Sequence, residues 1–313
     1  MNILVTGVAG FIGSNLADRL LSEGHPVAGL DNLAYGVKEQ IPDGVKFHKG
    51  DVRSKDIYPH FKGVDAVFHL AAKNCIADCQ ADPVETADIN VTGTVNVLEA
   101  CRRAGVKKVV YAESSAIYEG SKKYPTPEED EHAESFYAAS KLAEKHFAEA
   151  YARFHGMNLT ALRYFCVYGP RQDYRRSIPP VMSAFILKLL KGERPVIYGD
   201  GRKRRDFIYV DDVNDFHVQC LKDPKTNGGT FNLGSGENHS VQDIFEAVEG
   251  LLKTGIKPEH RPDLPGESQI TLADISRAKA LGWKPKTTLA QGLQKSVEFI
   301  KKHVLQSSDI SRR

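Results

Sequence analysis

The sequence predicts an α/β protein: a doubly wound parallel sheet with helices on both faces, followed by a smaller C-terminal α/β lobe. Three observations lead there. Short apolar runs alternate with helix-period segments through the first half, a glycine-rich turn joins the first run to the first helix, and Pro and Gly punctuate shorter elements after Tyr164. Strands alternating with helices of this length require right-handed crossovers, so the strands lie parallel and both faces of their sheet are covered.

The strand-like runs are ILVT at 3–6, PVAGL at 26–30, KFHKG at 46–50, AVFHL at 66–70, KKVVYA at 107–112 and LTALRY at 159–164. Helical patterns fall near 11–23, 84–105 and 134–156. Beyond Tyr164 the segments GPRQDY, SIPP, GERPVIYGDG, DLPGE and GWKPK divide the chain into short pieces, as a loop-rich lobe laid over the sheet demands. The division falls at 1–164 and 165–313, with some later segments expected to return to the first unit. The closing QSSDISRR reads as a frayed tail.

Length and charge narrow the function. A chain of 313 residues is long enough for one large α/β unit with a sizeable core plus a smaller lobe. Its 42 Lys and Arg against 40 Asp and Glu leave the field near neutral, so no nucleic-acid partner is expected and any anion must be bound locally. The opening MNILVTGVAGFIG is a strand and turn without the basic region of a signal peptide. No run approaches the roughly 18 apolar residues of a membrane span, so no membrane partner is expected. Five cysteines, Cys75, Cys79, Cys101, Cys166 and Cys220, are an odd and scattered set that suits reduced thiols in the cytoplasm. Cys75 and Cys79 lack the further ligands of a tetrahedral site, so no metal is expected.

The glycine turn carries the first chemistry. Gly7, Gly10 and Gly13 in TGVAGFIG directly follow the strand at 3–6 and open a helix. Gly7 permits the tight turn, Gly10 lets backbone approach a pyrophosphate, and Gly13 lets the helix pack close to the strand. The phosphates then meet the positive end of the helix. The second strand ends in Asp31, eighteen residues after Gly13, where a carboxylate accepts from a ribose 2′-hydroxyl and repels a 2′-phosphate, which favours NAD over NADP. Asp51 and Val52 follow the third strand, within reach of an adenine amino group. Residues 1–164 are therefore expected to form an NAD-binding Rossmann domain, and 165–313 mainly a substrate lobe.

The second chemistry lies in FYAASKLAEKHFAEAY, which sets Tyr137 and Lys141 four apart on one helical face. An unperturbed phenol near pKa 10 is a poor base at neutral pH, and a fixed ammonium beside it is expected to draw that value down. The strand at 107–112 runs into ESSAIY, whose Ser114 can offer a hydroxyl to the same substrate oxygen. The carboxyl end of a parallel strand is where such groups collect.

Taken in order, TGVAGFIG, Asp31, HLAA at 69–72, SSAIY at 114–118, YAASK at 137–141, RYFCVYGPRQ and GDGRKRRDFIYVDDV resemble the extended short-chain dehydrogenase/reductase family, and within it the UDP-glucose 4-epimerases and related UDP-sugar epimerases. The resemblance covers nearly the whole chain. It implies bound NAD contacted by Gly7, Gly10, Phe11, Ile12, Gly13, Asp31, Asn32, Asp51, Val52, Leu70, Ala71 and Ala72 as well as Tyr137 and Lys141. It implies Tyr137 as base, Lys141 as its tuning cation, and Ser114 as the assisting hydroxyl, with Ser115 the alternative. It implies a nucleotide-sugar substrate, with Arg205 on the diphosphate and Val196 and Tyr198 beside the uracil. A homodimer joined through the helices at 84–105 and 134–156 follows from the same resemblance.

Inversion at C4 is the implied outcome. Dehydratases of the family carry an Asp-Glu pair just after the active hydroxyl residue, where this chain has Ser115 and Ala116. Other outcomes on the scaffold are a dehydratase or a 4-ketosugar reductase, and outside catalysis a nucleotide-sensing protein. Three positions depart from the epimerase pattern or tune it. Cys166 stands where an Asn usually bonds the phosphate region, and Leu264 replaces an expected Arg, with Arg261 three residues earlier. Thr271 falls where a bulky Tyr restricts some epimerases to unacetylated hexoses, which leaves room for an N-acetyl group.

Overall fold

The computed structural model describes residues 1–175, 179–263 and 268–310, with side chains of the last helix described to residue 303. Its elements are β1 (Ile3–Thr6), α1 (Phe11–Ser22), β2 (Val27–Asp31), β3 (Lys46–Lys49), β4 (Ala66–His69), α2 (Ile76–Ala81), α3 (Pro83–Ala87), α4 (Gly93–Ala104), β5 (Lys108–Ser114), α5 (Phe136–His155), β6 (Leu159–Tyr164), β7 (Cys166–Tyr168), α6 (Val181–Leu190), β8 (Val196–Tyr198), β9 (Arg204–Arg205), β10 (Phe207–Tyr209), α7 (Val210–Lys222), β11 (Thr230–Leu233), β12 (His239–Ser240), α8 (Val241–Leu252), β13 (Glu259–Arg261), α9 (Ser276–Ala280) and α10 (Leu289–Ile310).

Among the described residues, seven strands form one parallel sheet in the order β11-β6-β5-β4-β1-β2-β3. The six strands read from the sequence are all in it. The order reverses between β1 and β4, and the carboxyl ends on either side of such a reversal leave a crevice for a ligand. Period-2 alternation fixes the two faces. Ile3 and Val5 join Leu16, Ala17 and Leu20 of α1 and Val213 and Phe216 of α7 in one apolar core. Leu4 points the other way and joins Leu30, Val67 and Val97 and Leu98 of α4 in a second.

One difference from the sequence-based expectation concerns a segment that only tertiary contacts define. The helix expected over 84–105 is broken into α3, a π-helical turn at Asp88–Thr92, and α4. Asn90 in that turn is fully buried and clamps the loop after β4: its Oδ1 accepts from the Lys73 N–H at 2.8 Å, and its Nδ2 donates to the Lys73 carbonyl and the Ser140 hydroxyl. β11 comes from the later half of the chain and pairs with β6 to complete the sheet.

The other later elements build a third core. Phe185 and Ile186 of α6, Ile197 of β8, Phe245 and Val248 of α8, and Leu293 and Val297 of α10 pack there, beside the carboxyl ends of the strands. Short pairs β7-β10, β9-β12 and β8-β13 tie this region together.

Candidate active site

A cavity of about 920 Å³ opens at the carboxyl ends of the strands. That volume stands near the top of the range of roughly 300–1,000 Å³ for ligand sites, as an elongated ligand requires. Lining it are Gly7, Gly10, Phe11, Ile12, Gly13, Asp31, Asn32, Asp51, Val52, Leu70, Ala71 and Ala72 at one end, and Ser114, Ser115, Tyr137, Lys141, Cys166, Arg205 and Thr271 further along.

The glycine turn has the shape a dinucleotide needs. Gly7 adopts φ +74°, and a Cβ there would stand 2.8 Å from the Ala71 backbone nitrogen. A Cβ on Gly13 would collide with the Gly7 carbonyl, so only glycine lets α1 approach β1 this closely. At Gly10 an added Cβ would meet the Gly7 oxygen at 3.2 Å and otherwise project toward the cavity that this residue lines. Gly10 is also the N-cap of α1, and among the described residues no side chain caps that end and no acid occupies its first turn. The first amides of a twelve-residue helix thus keep their positive potential for an anion.

Asp31 closes β2 and is largely buried, with Oδ2 accepting from the Ala9 N–H at 3.0 Å and Oδ1 from the Leu33 N–H at 2.8 Å. Burial pushes its pKa up while these two backbone bonds pull it back. Each carboxylate oxygen retains a lone pair for a ribose hydroxyl. Asp51 accepts two bonds from the Arg53 guanidinium, at 2.9 and 2.8 Å, and one from Asn32 Nδ2 at 3.0 Å. These hold its carboxyl well below the usual carboxylate range.

Further along, Ser135 caps α5 by accepting from the Ala138 N–H and is itself fastened by Glu119, which accepts from its amide at 2.8 Å and its hydroxyl at 2.9 Å. This sets Tyr137 in the first turn of α5, facing the end of β5. Ser114 faces the Tyr137 phenol, favouring its charged form, and accepts from the Ala116 N–H. Lys141 is buried, and its Nζ donates to the Ala112 carbonyl at 3.0 Å and to Glu144 Oε2 at 3.1 Å.

The electrostatics differ from the sequence-based expectation. Burial raises the Tyr137 pKa, and the Lys141 charge and the Ser114 hydrogen bond only partly offset it. The ammonium does act in the expected direction, but Glu144 neutralises much of it and pushes Tyr137 the other way. Sequence reasoning missed Glu144, although its position three after Lys141 already places it on the same helical face. It also missed Glu113, fully buried against Arg163.

The remaining expected substrate contacts divide. Arg205 and Thr271 line the cavity, and the Thr271 hydroxyl accepts from the Asp206 N–H at 3.1 Å. Cys166 lines it too, and burial pushes its thiol up to about 11, so it faces a ligand as a neutral, weakly donating group. Val196 and Tyr198 are not among its described lining residues: they belong to β8, which pairs with β13, and Tyr198 is exposed. Arg261 lies on β13, ion-paired with Glu259 at 2.8 Å, and is not among the described lining residues either. Leu264 lies outside the described residues. Cationic groups the sequence did not single out, Arg171 and Arg175, line the far end. No helix among the described residues is long and apolar enough to cross a membrane.

Comparison with known proteins agrees with this geometry. The chain is 38% identical over 312 residues to a UDP-glucose 4-epimerase of Mycolicibacterium smegmatis, covering 96% of this chain and 99% of that one. Its fold matches the crystal structure of a UDP-glucose 4-epimerase with UDP-glucose from Thermotoga maritima, with a TM-score of 0.93 and 34% identity over 97% of this chain and 100% of that one. It also matches a UDP-N-acetylglucosamine 4-epimerase from Methanobrevibacter ruminantium in complex with UDP-N-acetylmuramic acid, with a TM-score of 0.92 and 31% identity over 96% and 98% of the two chains. The family model matches residues 3–234, and with the glycine turn, Asp31 and the Tyr137–Lys141 pair gathered on one cavity, the chain belongs to the NAD dependent epimerase/dehydratase family.

Proposed function

We propose that this chain is an NAD-dependent epimerase that inverts C4 of a UDP-hexose or UDP-N-acetylhexosamine by way of a 4-keto sugar. The observation that carries the proposal is the convergence of Tyr137, Lys141 and Ser114 on the cavity that also contains the glycine turn. When bound, NAD supplies the site with a group that accepts and returns a hydride. The cradle at Gly7, Gly10 and Gly13, the uncapped end of α1 and the Asp31 carboxylate would hold it.

The chain's own groups handle the proton. Tyr137 takes the proton of the sugar 4-hydroxyl, Ser114 hydrogen-bonds the same oxygen, and Lys141 stabilises the phenolate. Arg205 is suited by its planar fork to the diphosphate, and residues 165–313 supply most of the substrate lobe. Thr271 is small enough to leave space for an N-acetyl group at the cavity wall.

Elimination of water, the dehydratase outcome, needs an additional acid and base. Two carboxylates lining this end are already committed: Glu113 bonds Arg163 and Tyr111, and Glu119 bonds Ser135. Incubation with UDP-glucose and with UDP-N-acetylglucosamine, followed by NMR, is expected to show the C4 epimer of at least one. A stable 4-keto-6-deoxy sugar in its place would overturn the proposal.

The same proposal includes a cytoplasmic homodimer. Among the described residues all five cysteines are free thiols, as a reducing compartment requires. Val84 of α3 and Phe147 and Phe154 of α5 are exposed on the side of the sheet where α4 packs against α5, and a second copy would cover them. Light scattering at micromolar concentration is expected to give twice the chain mass, and cell fractionation to place the enzyme in the cytosol. A monomer, or an exported enzyme, would refute the corresponding half.

A further inference from the structure

Behind the Tyr137–Lys141 pair stands a carboxylate that touches neither the cavity nor any ligand that could fill it. Glu144 is 1% exposed on the inward face of α5, three residues beyond Lys141. Its Oε2 accepts the Lys141 hydrogen bond at 3.1 Å, while Oε1 lies 3.0 Å from the same nitrogen without an aligned bond. Thr94 of α4 stands beside the carboxylate and favours its charged form. Thr94 Oγ1 lies 2.9 Å from His69 Nε2, and His69 Nδ1 lies 2.7 Å from Thr6 Oγ1. Thr6 accepts in turn from the Leu70 and Ala71 amides beside the glycine turn. With the His69 proton on Nε2, the Thr6 hydroxyl donates to Nδ1 and the ring donates to Thr94, so the buried chain runs from β1 toward Glu144.

Besides Glu144, the Lys141 ammonium bonds the Ala112 carbonyl, which carries no charge. Among the described residues, Glu144 is the carboxylate within ion-pair distance of it. A buried ammonium without a counter-charge sheds its proton easily.

We infer that Glu144 is a positioning residue: its carboxylate keeps the Lys141 ammonium charged and directed at Tyr137, and the Thr94–His69–Thr6 chain anchors it to the strand ends that form the cofactor turn. This inference rests on the proposed roles of Tyr137 and Lys141. Burial would lower the Lys141 pKa, but Glu144 raises it overall. Burial also pushes Glu144 up to about 7 despite the ammonium beside it, so the counter-charge is complete only on the alkaline side. The other titratable groups facing the pair are Tyr137 on α5, Tyr111 and Glu113 on β5, and His69 on β4. His69 is pushed down to about 3 and stays neutral, and Glu113 is engaged by Arg163.

The test compares wild type with Glu144→Gln and Glu144→Asp, all purified with their cofactor and assayed for C4 epimerisation across pH. In Glu144→Gln the isosteric amide fills the space without the charge. The alkaline limb of kcat is expected to move down by about one pH unit or more, as an uncompensated buried lysine demands. At pH 8 kcat is expected to fall by about ten-fold or more with KM little changed, the pattern of lost transition-state stabilisation. Glu144→Asp keeps the charge at a longer distance, so its limb should lie between the two. A Glu144→Gln enzyme that folds, retains cofactor and keeps the wild-type profile overturns the inference. Should Glu144→Gln fail to fold, a Glu144→Asp limb coincident with wild type overturns it instead. Tyr137→Phe in the same assay separates the two levels: an active Tyr137→Phe sinks the proposed chemistry itself, whereas an inactive one beside an unaltered Glu144→Gln profile sinks only the role of Glu144.

Discussion

Replacing Tyr137 with Phe is expected to lower kcat for epimerisation by about 10²–10⁴-fold, the usual contribution of a positioned acid–base group. Phe keeps the ring in its buried place and removes only the hydroxyl, so stability and cofactor retention should be close to wild type. KM should change little, since the lost interaction strengthens mainly as the proton moves. The pH dependence has a definite sign. Burial raises the phenol, and a base must be deprotonated to act, so wild-type activity climbs with pH along its acid limb. The residual activity of Tyr137→Phe should be flat over that range. Single-substrate kinetics by NMR, with the cofactor measured after denaturation, checks both points.

The largest stability effect is expected at Arg163. Its guanidinium is completely buried and serves four partners: Glu113 Oε2 from Nε at 2.6 Å, the Tyr118 hydroxyl at 2.7 Å and the Glu128 carbonyl at 2.5 Å from Nη1, and Glu131 from Nη2. Removing one partner of such a buried pair leaves the other charge without compensation, which typically costs about 3–5 kcal/mol. Arg163→Met should therefore lose roughly that much in urea denaturation. Exchanging Glu113 for Leu as well removes the orphaned charge, and the double variant should regain part of the loss. Additive losses would mean that the two residues are not coupled. The network also fastens the segment from Ser114 to Glu131 onto β6, so a weakened Arg163 should disturb the approach of Ser114 to Tyr137.

Where the sequence was informative, local chemistry and tertiary structure agreed. The strands at 3–6 and 159–164 were legible because apolar runs of that length between turn signals have few other uses. The glycine spacing was legible because it encodes two close backbone approaches, at Gly7 and Gly13, and the structure contains both. Tyr137 and Lys141 were legible as one helical turn, and the structure sets them on one cavity. The π-helical turn at Asp88–Thr92 was hidden because its cause is Asn90 gripping a loop seventeen residues away. The pairing of β8 with β13 is set by the fold, so the direction of Val196 and Tyr198 was not legible. Glu113 and Glu144 look like ordinary surface acids until the sheet and helix around them show that they are enclosed.

The pairing of β11 with β6 also constrains how this gene product can be divided. A fragment stopping at Tyr164 would present a bare row of amides and carbonyls along β6, the open template onto which another molecule adds. Synthesis must therefore proceed well past the midpoint before that border is sealed, so a nascent chain halted there is a ready substrate for chaperones or for self-association.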